Sequence, residues 1–154
     1  MPFTVPTTYR SQANTGYGSV FSIGDSASPP AYTGVAELKQ FDLDGISLDQ
    51  LDITHLLSPN NSQELAPGLQ KVGKVSCGGN FIGDNTQLNL QTMAANRVTF
   101  PFKATSPVQN LTKTLTVSGY GFISGLKVGP FEMNKAIEFS FDVQLTGQLT
   151  FAVA

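Results

Sequence analysis

Enzymes need groups that titrate or attack, and this chain offers few. His55 and Cys77 are its only histidine and its only cysteine, so a Cys-His nucleophile would need a long-range meeting between them. Cys77 falls on the parity of a strand that reads as core, which makes it a buried structural thiol. One histidine and one cysteine also exclude the usual zinc and iron ligand sets. Asp42, Asp44, Asp49 and Asp52 could in principle gather around a hard cation, but they lie on strand-like sequence and lack the 12-residue calcium-loop pattern. The carboxylate pairs Asp49/Asp52 and Glu138/Asp142 could do glycosidic acid-base work. The chain has no Trp and no aromatic clustering of a sugar cleft, so they read as solvated face residues. The run G-Y-G-F-I-S-G at 119–125 lacks phosphate-loop spacing and continues a strand instead of opening a helix. No catalytic constellation, metal set or cofactor site emerges.

The elements that would carry these residues are mostly strands. Residues 136–150 place Ile137, Phe139, Phe141, Val143, Leu145 and Leu149 on one parity. Glu138, Ser140, Asp142, Gln144, Thr146 and Gln148 fall on the other, an uninterrupted β alternation. At about 3.3 Å per residue that strand approaches 50 Å, so it either turns into a hairpin near Gly147 or extends beyond one compact domain. Its polar parity has two carboxylates and no Lys or Arg.

With 154 residues the chain suits one domain. Charged residues make up 13%, about half the usual share, as expected of a surface partly covered by other copies of itself. The formal net charge of −2 comes without a Lys/Arg cluster, so the electrostatic footprint of a nucleic-acid binder is missing. A single cysteine permits no intrachain disulfide and fits a reducing compartment. No window resembles a signal peptide or a membrane span, and the expectation is a soluble protein made in the cytoplasm.

Residues 1–33 are rich in Pro, Gly, Ser and Thr, with only V-F-S-I at 20–23 strand-like. They read as an extended N-terminal arm whose aromatics dock on a partner. Residues 34–154 form the β-rich domain. Two strands, 34–43 and 46–54, are expected to make a hairpin turning at Asp44-Gly45. A switch of apolar parity between Leu48 and Leu51 predicts a bulge near Asp49 and Gln50. A long loop at 55–73 has no sustained period, and its leucines suit packing on a partner. Val75, Cys77, Gly79 and Phe81 share one face of a further strand. A helix at about 84–95 is predicted from Asp84 as N-cap, Gln87 at the capping-box position, and the stripe of Leu90, Met93 and Ala94. Arg97–Ala104 reads as an edge strand or a strand start because of Pro101, and Thr114–Val128 as another long strand.

The order of these elements resembles the tail tube proteins of long-tailed, siphophage-type bacteriophages. The resemblance covers roughly residues 34–151. It rests on Glu64, Gly68-Leu69 and Gly73 in the loop, Phe100-Pro101 after the helix, and Gly119 to Gly125 followed by the terminal strand with Thr146-Gly147. The appended immunoglobulin-like domain of some relatives is missing after the last strand.

The resemblance implies a small β-sandwich or half-barrel with one flanking helix, assembled as hexameric rings that stack into a hollow tube for genome passage. It implies self-association, tape-measure, tail-tip and terminator proteins as partners, transient non-sticky passage of DNA, no membrane insertion, no cofactor, no enzymatic activity, and a place in the virion tail. Under that reading Glu138, Asp142, Asp49 and Asp52 would face the lumen and repel phosphates. Glu64, Leu65, Leu69 and Lys71, with Tyr9 and Tyr17 of the arm, would make ring-stacking or neighbour contacts. Two other readings stand beside it: the tube protein of a contractile injection system, and a monomeric β-sandwich binding module.

Overall fold

The computed structural model describes residues 15–108 and 112–154. Its spine is a hairpin of two strands, β8 (Lys113–Val128) and β9 (Glu138–Val153), 16 residues each. They pair antiparallel from Val128↔Phe139 to Leu115↔Val153, with register shifts at Ser118/Tyr120 and Ile123/Gly125. Of the two alternatives for this segment, a turn near Gly147 or one long strand, the second holds. Gly147 adopts φ +77° opposite one of these shifts, where 147–149 face Gly119 alone, so the two extra residues are absorbed as a bulge and the strand continues. The alternation holds through it: Phe139, Phe141, Val143, Leu145 and Leu149 are buried, while Glu138, Ser140, Thr146 and Gln148 are exposed.

Shorter strands flank the hairpin. On the β8 side lies β7 (Thr99–Val108), then β1 (Val20–Gly24), then β2 (Tyr32–Gly34). On the β9 side lies β6 (Lys74–Asn80), then β3 (Leu38–Leu43). All seven are antiparallel neighbours. The sheet curls until β1 and β3, which are not ladder partners, come into contact, while Val35 N–H on the Phe21 carbonyl at 2.9 Å extends the pairing of β1 with β2. Inside the curl Phe21 stacks on Phe102 with centroids 5.7 Å apart and meets Phe41 and Phe141 at 6.0 Å each. Such ring pairs add to the hydrophobic stabilisation of burial itself. The result is mainly β, and of the two forms that the resemblance implies, sandwich or half-barrel, the curled sheet is the half-barrel.

The one α-helix among the described residues, α1 (Asn85–Ala95), forms where the sequence places it. The Asp84 carboxylate accepts from Gln87 N–H at 2.9 Å, and Leu90 is fully buried against the sheet. Gln87 does more than cap. Its buried amide accepts from the Ile82 and Gly83 N–H groups and donates to the Asn80 and Ala36 carbonyls. The helix start is thereby tied both to the end of β6 and to the link between β2 and β3.

Three expectations are corrected. Residues 20–34 are not arm: β1 and β2 lie within the sheet, and Phe21 is at its centre. The described part of the expected arm outside the sheet is therefore 15–19. Asp44-Gly45 is not a hairpin turn, because β3 pairs with β6 while β4 (Ile46–Asp52) pairs with β5 (Leu65–Val72). Gly45 lacks the positive φ such a turn needs. The loop at 55–73 is shorter than expected, since its second half is β5. Of the two readings of Pro101, the strand start holds: it is the third residue of β7 and lies just past the last partner that β1 offers, Ile23↔Phe102, so β7 itself can be an interior strand. The bulge predicted near Asp49 and Gln50 is present, with the register shifting between Leu48 and Gln50.

Two outcomes test this packing. A Cβ at Gly79 would stand 2.2 Å from the Glu37 carbonyl oxygen, whereas one at Gly45 would meet nothing within 4 Å. Denaturant melts should therefore show Gly79→Ala losing about 1–3 kcal/mol, with Gly45→Ala within about 0.5 kcal/mol of the parent. Burial, and then the nearby charge of Asp142, push the Cys77 thiol up to about 12. At pH 8 an alkylating reagent should label the folded chain at least about a thousand-fold more slowly than the unfolded chain, because the thiolate is the nucleophile.

Candidate functional site

The register of β3 with β6 runs without a break into that of β4 with β5. Leu43 faces Val75, Asp44 N–H donates to Lys74 O, Gly73 N–H donates to Gly45 O, and Ile46 faces Val72. The four strands are thus one long two-stranded ribbon whose outer half, β4 and β5, leaves the main sheet. The main sheet holds it by Leu145 N–H on the Gly73 carbonyl and the Gln144 amide on the same oxygen.

The outer half is unusually apolar for a surface element. Ile46, Leu48, Leu51 and Ile53 on one strand and Leu65 and Leu69 on the other are all exposed, Leu69 by 78%. Because Leu48 and Leu51 fall on opposite parities of β4, apolar side chains stand on both faces of the ribbon. Leu56 and Leu57 project from its tip almost without contact, 103% and 87% exposed.

Polar contacts fix the tip. The Ser58 hydroxyl donates to Glu64 Oε2 at 2.6 Å and accepts from His55 N–H at 2.9 Å. Leu57 N–H donates to His55 Nδ1, whose Nε2 lies 3.5 Å from the same Glu64 oxygen. Glu64 N–H donates to the Thr54 hydroxyl at 2.8 Å. Thr54, through its hydroxyl and then its amide, and Gln63 hold the Asp52 carboxyl below its ordinary value. A single 3-10 turn at Pro59–Asn61 completes the connection.

The residues singled out from the sequence are distributed as follows. Glu64, Leu65, Leu69 and Lys71 come together on the ribbon, but Glu64 points into the tip and Lys71 is paired with Asp49 at 2.8 Å, which leaves the leucines to present a surface. Tyr17 is 85% exposed beside the start of β1; Tyr9 lies outside the described residues. The four carboxylates do not share a face. Asp49 and Asp52 are on the ribbon, whereas Glu138 and Asp142 are on the main sheet. There each has a cation from another strand, Glu138 with Lys39 of β3 at 2.9 Å and Asp142 with Lys74 of the adjacent β6 at 3.5 Å. Lys39, by hydrogen bond and then by charge, with a smaller contribution from Lys135, holds the Glu138 carboxyl below its ordinary value. This surface is charge-balanced rather than acidic, because the balancing lysines come from strands distant in sequence. Leu48, Leu51 and Ile53 were missed as surface residues, although their placement on both parities was the available signal.

His55 and Cys77 are apart, one at the ribbon tip and one in the core. Among the described residues no three His, Cys, Asp or Glu side chains converge on a point. No described helix is long and apolar enough to cross a membrane.

The central hairpin also has two unpartnered stretches. Among the described residues, Thr146–Val153 of β9 pairs only with β8, and Ile123–Val128 of β8 pairs only with β9. These edges lie on opposite sides and at opposite ends of the hairpin. The connection beyond them exposes Phe131 and Met133 by 73% and 100%.

No protein-family model and no curated protein sequence matches the chain. Solved structures do. The tail of an empty gene transfer agent particle, refined with C6 symmetry, superposes with a TM-score of 0.71 at 17% identity, over 91% of this chain and 99% of that one. The SPP1 tail tube gives 0.64 at 14%, over 89% and 77%. The sheath-tube complex of an extracellular contractile injection system in its extended state gives 0.66 at 12%, over 98% and 100%. At such identities the likeness is one of fold, and the curled seven-stranded sheet with its single helix and projecting ribbon is the tail-tube fold.

Proposed function

We propose that this chain is a structural subunit of a phage-type tail tube. Copies join head-to-tail into rings, six to a ring, and the rings stack into a hollow conduit through which a genome passes. The observation that carries the reading is the ribbon. An isolated two-stranded hairpin is marginal in water, and one with leucines on both faces needs cover; stacked copies of the same chain supply it. The offset free edges of β8 and β9 support the ring. They are two different surfaces, as a closed heterologous contact requires, and pairing removes edges that would otherwise recruit strands at random.

The role is structural rather than catalytic. Leu56, Leu57, Leu65 and Leu69 make the ring-to-ring contact, Glu64 keeps the tip in shape for it, and Tyr17, with Tyr9 in the preceding segment, touches a neighbour. The face bearing Glu138 and Asp142 lines the lumen, where each carboxylate occupies a lysine that would otherwise hold a phosphate. The chain takes its place in the virion tail after synthesis in the host cytoplasm. A tape-measure protein, tail-tip components and a terminator limit its polymerisation.

The injection-system tube is the second reading, favoured by the equally full match to that assembly. Electron microscopy of tubes in particles from the native source separates the two, since a contractile sheath around them would decide for it. Purified chain that stays monomeric even with tail-tip components added would instead favour a binding module.

Leu65→Asp with Leu69→Asp should leave the subunit folded by circular dichroism but abolish tubes in negative-stain images; tubes of normal length would remove the ribbon from the stacking contact. Glu138→Lys with Asp142→Lys adds charge beside Lys39 and Lys74. Tubes should still form, and genome release from particles carrying the variant should slow. Unchanged release would take this face out of the lumen.

A further inference from the structure

The ribbon tip carries the only histidine of the chain, and its hydrogen bonds fix which ring nitrogen holds the proton. A backbone N–H can only donate, so Nδ1 of His55, which receives Leu57 N–H at 3.1 Å, is the bare nitrogen of a neutral ring. The proton of that ring is therefore on Nε2, which lies 3.5 Å from Glu64 Oε2. The bond from Leu57 closes back over two residues, as the side chain of an Asx turn does. It holds the backbone between Leu56 and Leu57, the two leucines that stand out from the tip.

We infer that His55 is a pH switch for the ribbon tip: a proton taken up at Nδ1 breaks the bond from Leu57, releases Leu56 and Leu57 from their fixed placement, and weakens association through the tip in acid. Histidine is the side chain that ordinarily changes charge between about pH 5 and 8, and this one is 62% exposed, so water reaches it. Once Nδ1 carries hydrogen, two N–H groups point at each other and the ring has to turn away. The bonds of Ser58 N–H to the His55 carbonyl and of His55 N–H to the Ser58 hydroxyl do not involve the ring. The change is thus confined to the imidazole and the two leucines. A partner would then have to order the released pair on contact, which lowers affinity.

The surroundings of the ring are simple. Asp52, His55 and Glu64 are the only titratable side chains in residues 50–66, and among the described residues β4 and β5 pair only with each other. Asp52 is bound by Thr54 and Gln63; its carboxyl is held below its ordinary value and keeps its charge across the window. Glu64 faces the ring directly and already accepts from Ser58, so it attracts the charged imidazole without replacing the acceptor that Leu57 loses. The release of the leucines concerns a single subunit. Its effect on association rests on the stacking role proposed above.

Two variants and two readouts test the switch. In the dispersed subunit, the Leu57 amide resonance should move with the His55 ring resonances between pH 8 and pH 5. His55→Asn keeps a side-chain acceptor for Leu57 N–H but does not titrate, and there the Leu57 resonance should stay still. Tube yield in the parent should fall about threefold or more from pH 8 to pH 5, the scale of one ordinary net hydrogen bond. It should hold within about twofold in His55→Asn, while His55→Ala, which lacks the acceptor at any pH, should give the lower yield at both. A Leu57 resonance that ignores the titration, or moves equally in His55→Asn, would overturn the switch and leave the tube reading standing. So would a parent whose yield is the same at both pH values. Absence of tubes at either pH would instead count against the tube reading and remove the effect on association, with the Leu57 resonance still deciding whether the tip is released.

Discussion

Every other strand is placed by the antiparallel register of β8 and β9. Its 16-residue partners supply both the inner wall of the core, through Phe139, Phe141 and Val143, and the two offset ladders on which the rest of the sheet is hung. Because β7 occupies the first part of β8 and β6 the first part of β9, the two half-sheets are staggered along one rod. The stagger leaves each strand of the rod half-partnered. Curling then brings β3 against β1 over the phenylalanine cluster, so a single sheet encloses its own core with one described helix for a cover.

What was legible in the sequence is what depends on local period. The alternation of 138–149 gave β9 and its buried face, the Asp84/Gln87 pair gave the helix start, and the parity switch in 46–53 gave the bulge. What was illegible depends on partners far away in the chain. Asp44-Gly45 carries a local turn signal, but the Lys74 and Gly73 backbone overrides it and draws the chain into a long ribbon. In β5, Pro67 and Gly68 interrupt the strand signal and the bulge breaks its period, so half of that ribbon read as loop. In β1 only four residues alternate, too few to reveal that Phe21 is the centre of the core. The acidic look of β9 was an artefact of reading one strand, since Lys39 and Lys74 reach it from β3 and β6.

The same contrast governs the candidate surfaces. Low charge pointed to a surface covered by other copies, and the structure shows where the exposed apolar residues lie. Yet the apolar surface is not a patch on the sheet. It is concentrated on an element that contributes almost nothing to the core, which separates the stability of a subunit from the strength of its contacts. If the tip makes contacts as proposed, substitutions there would retune them without disturbing the fold that presents it.

The continuity of register through Asp44 and Gly73 also has a kinetic meaning. A binding loop that must order on contact loses conformational freedom at that moment, which lowers both affinity and productive encounters. Here the ribbon is an extension of a ladder already fixed in the sheet, and its tip is held by Ser58, Thr54 and Glu64. Most of that entropy is lost when the subunit folds. In the proposed assembly each addition would then resemble the docking of a rigid peg, its rate governed by orientation and diffusion rather than by a folding step.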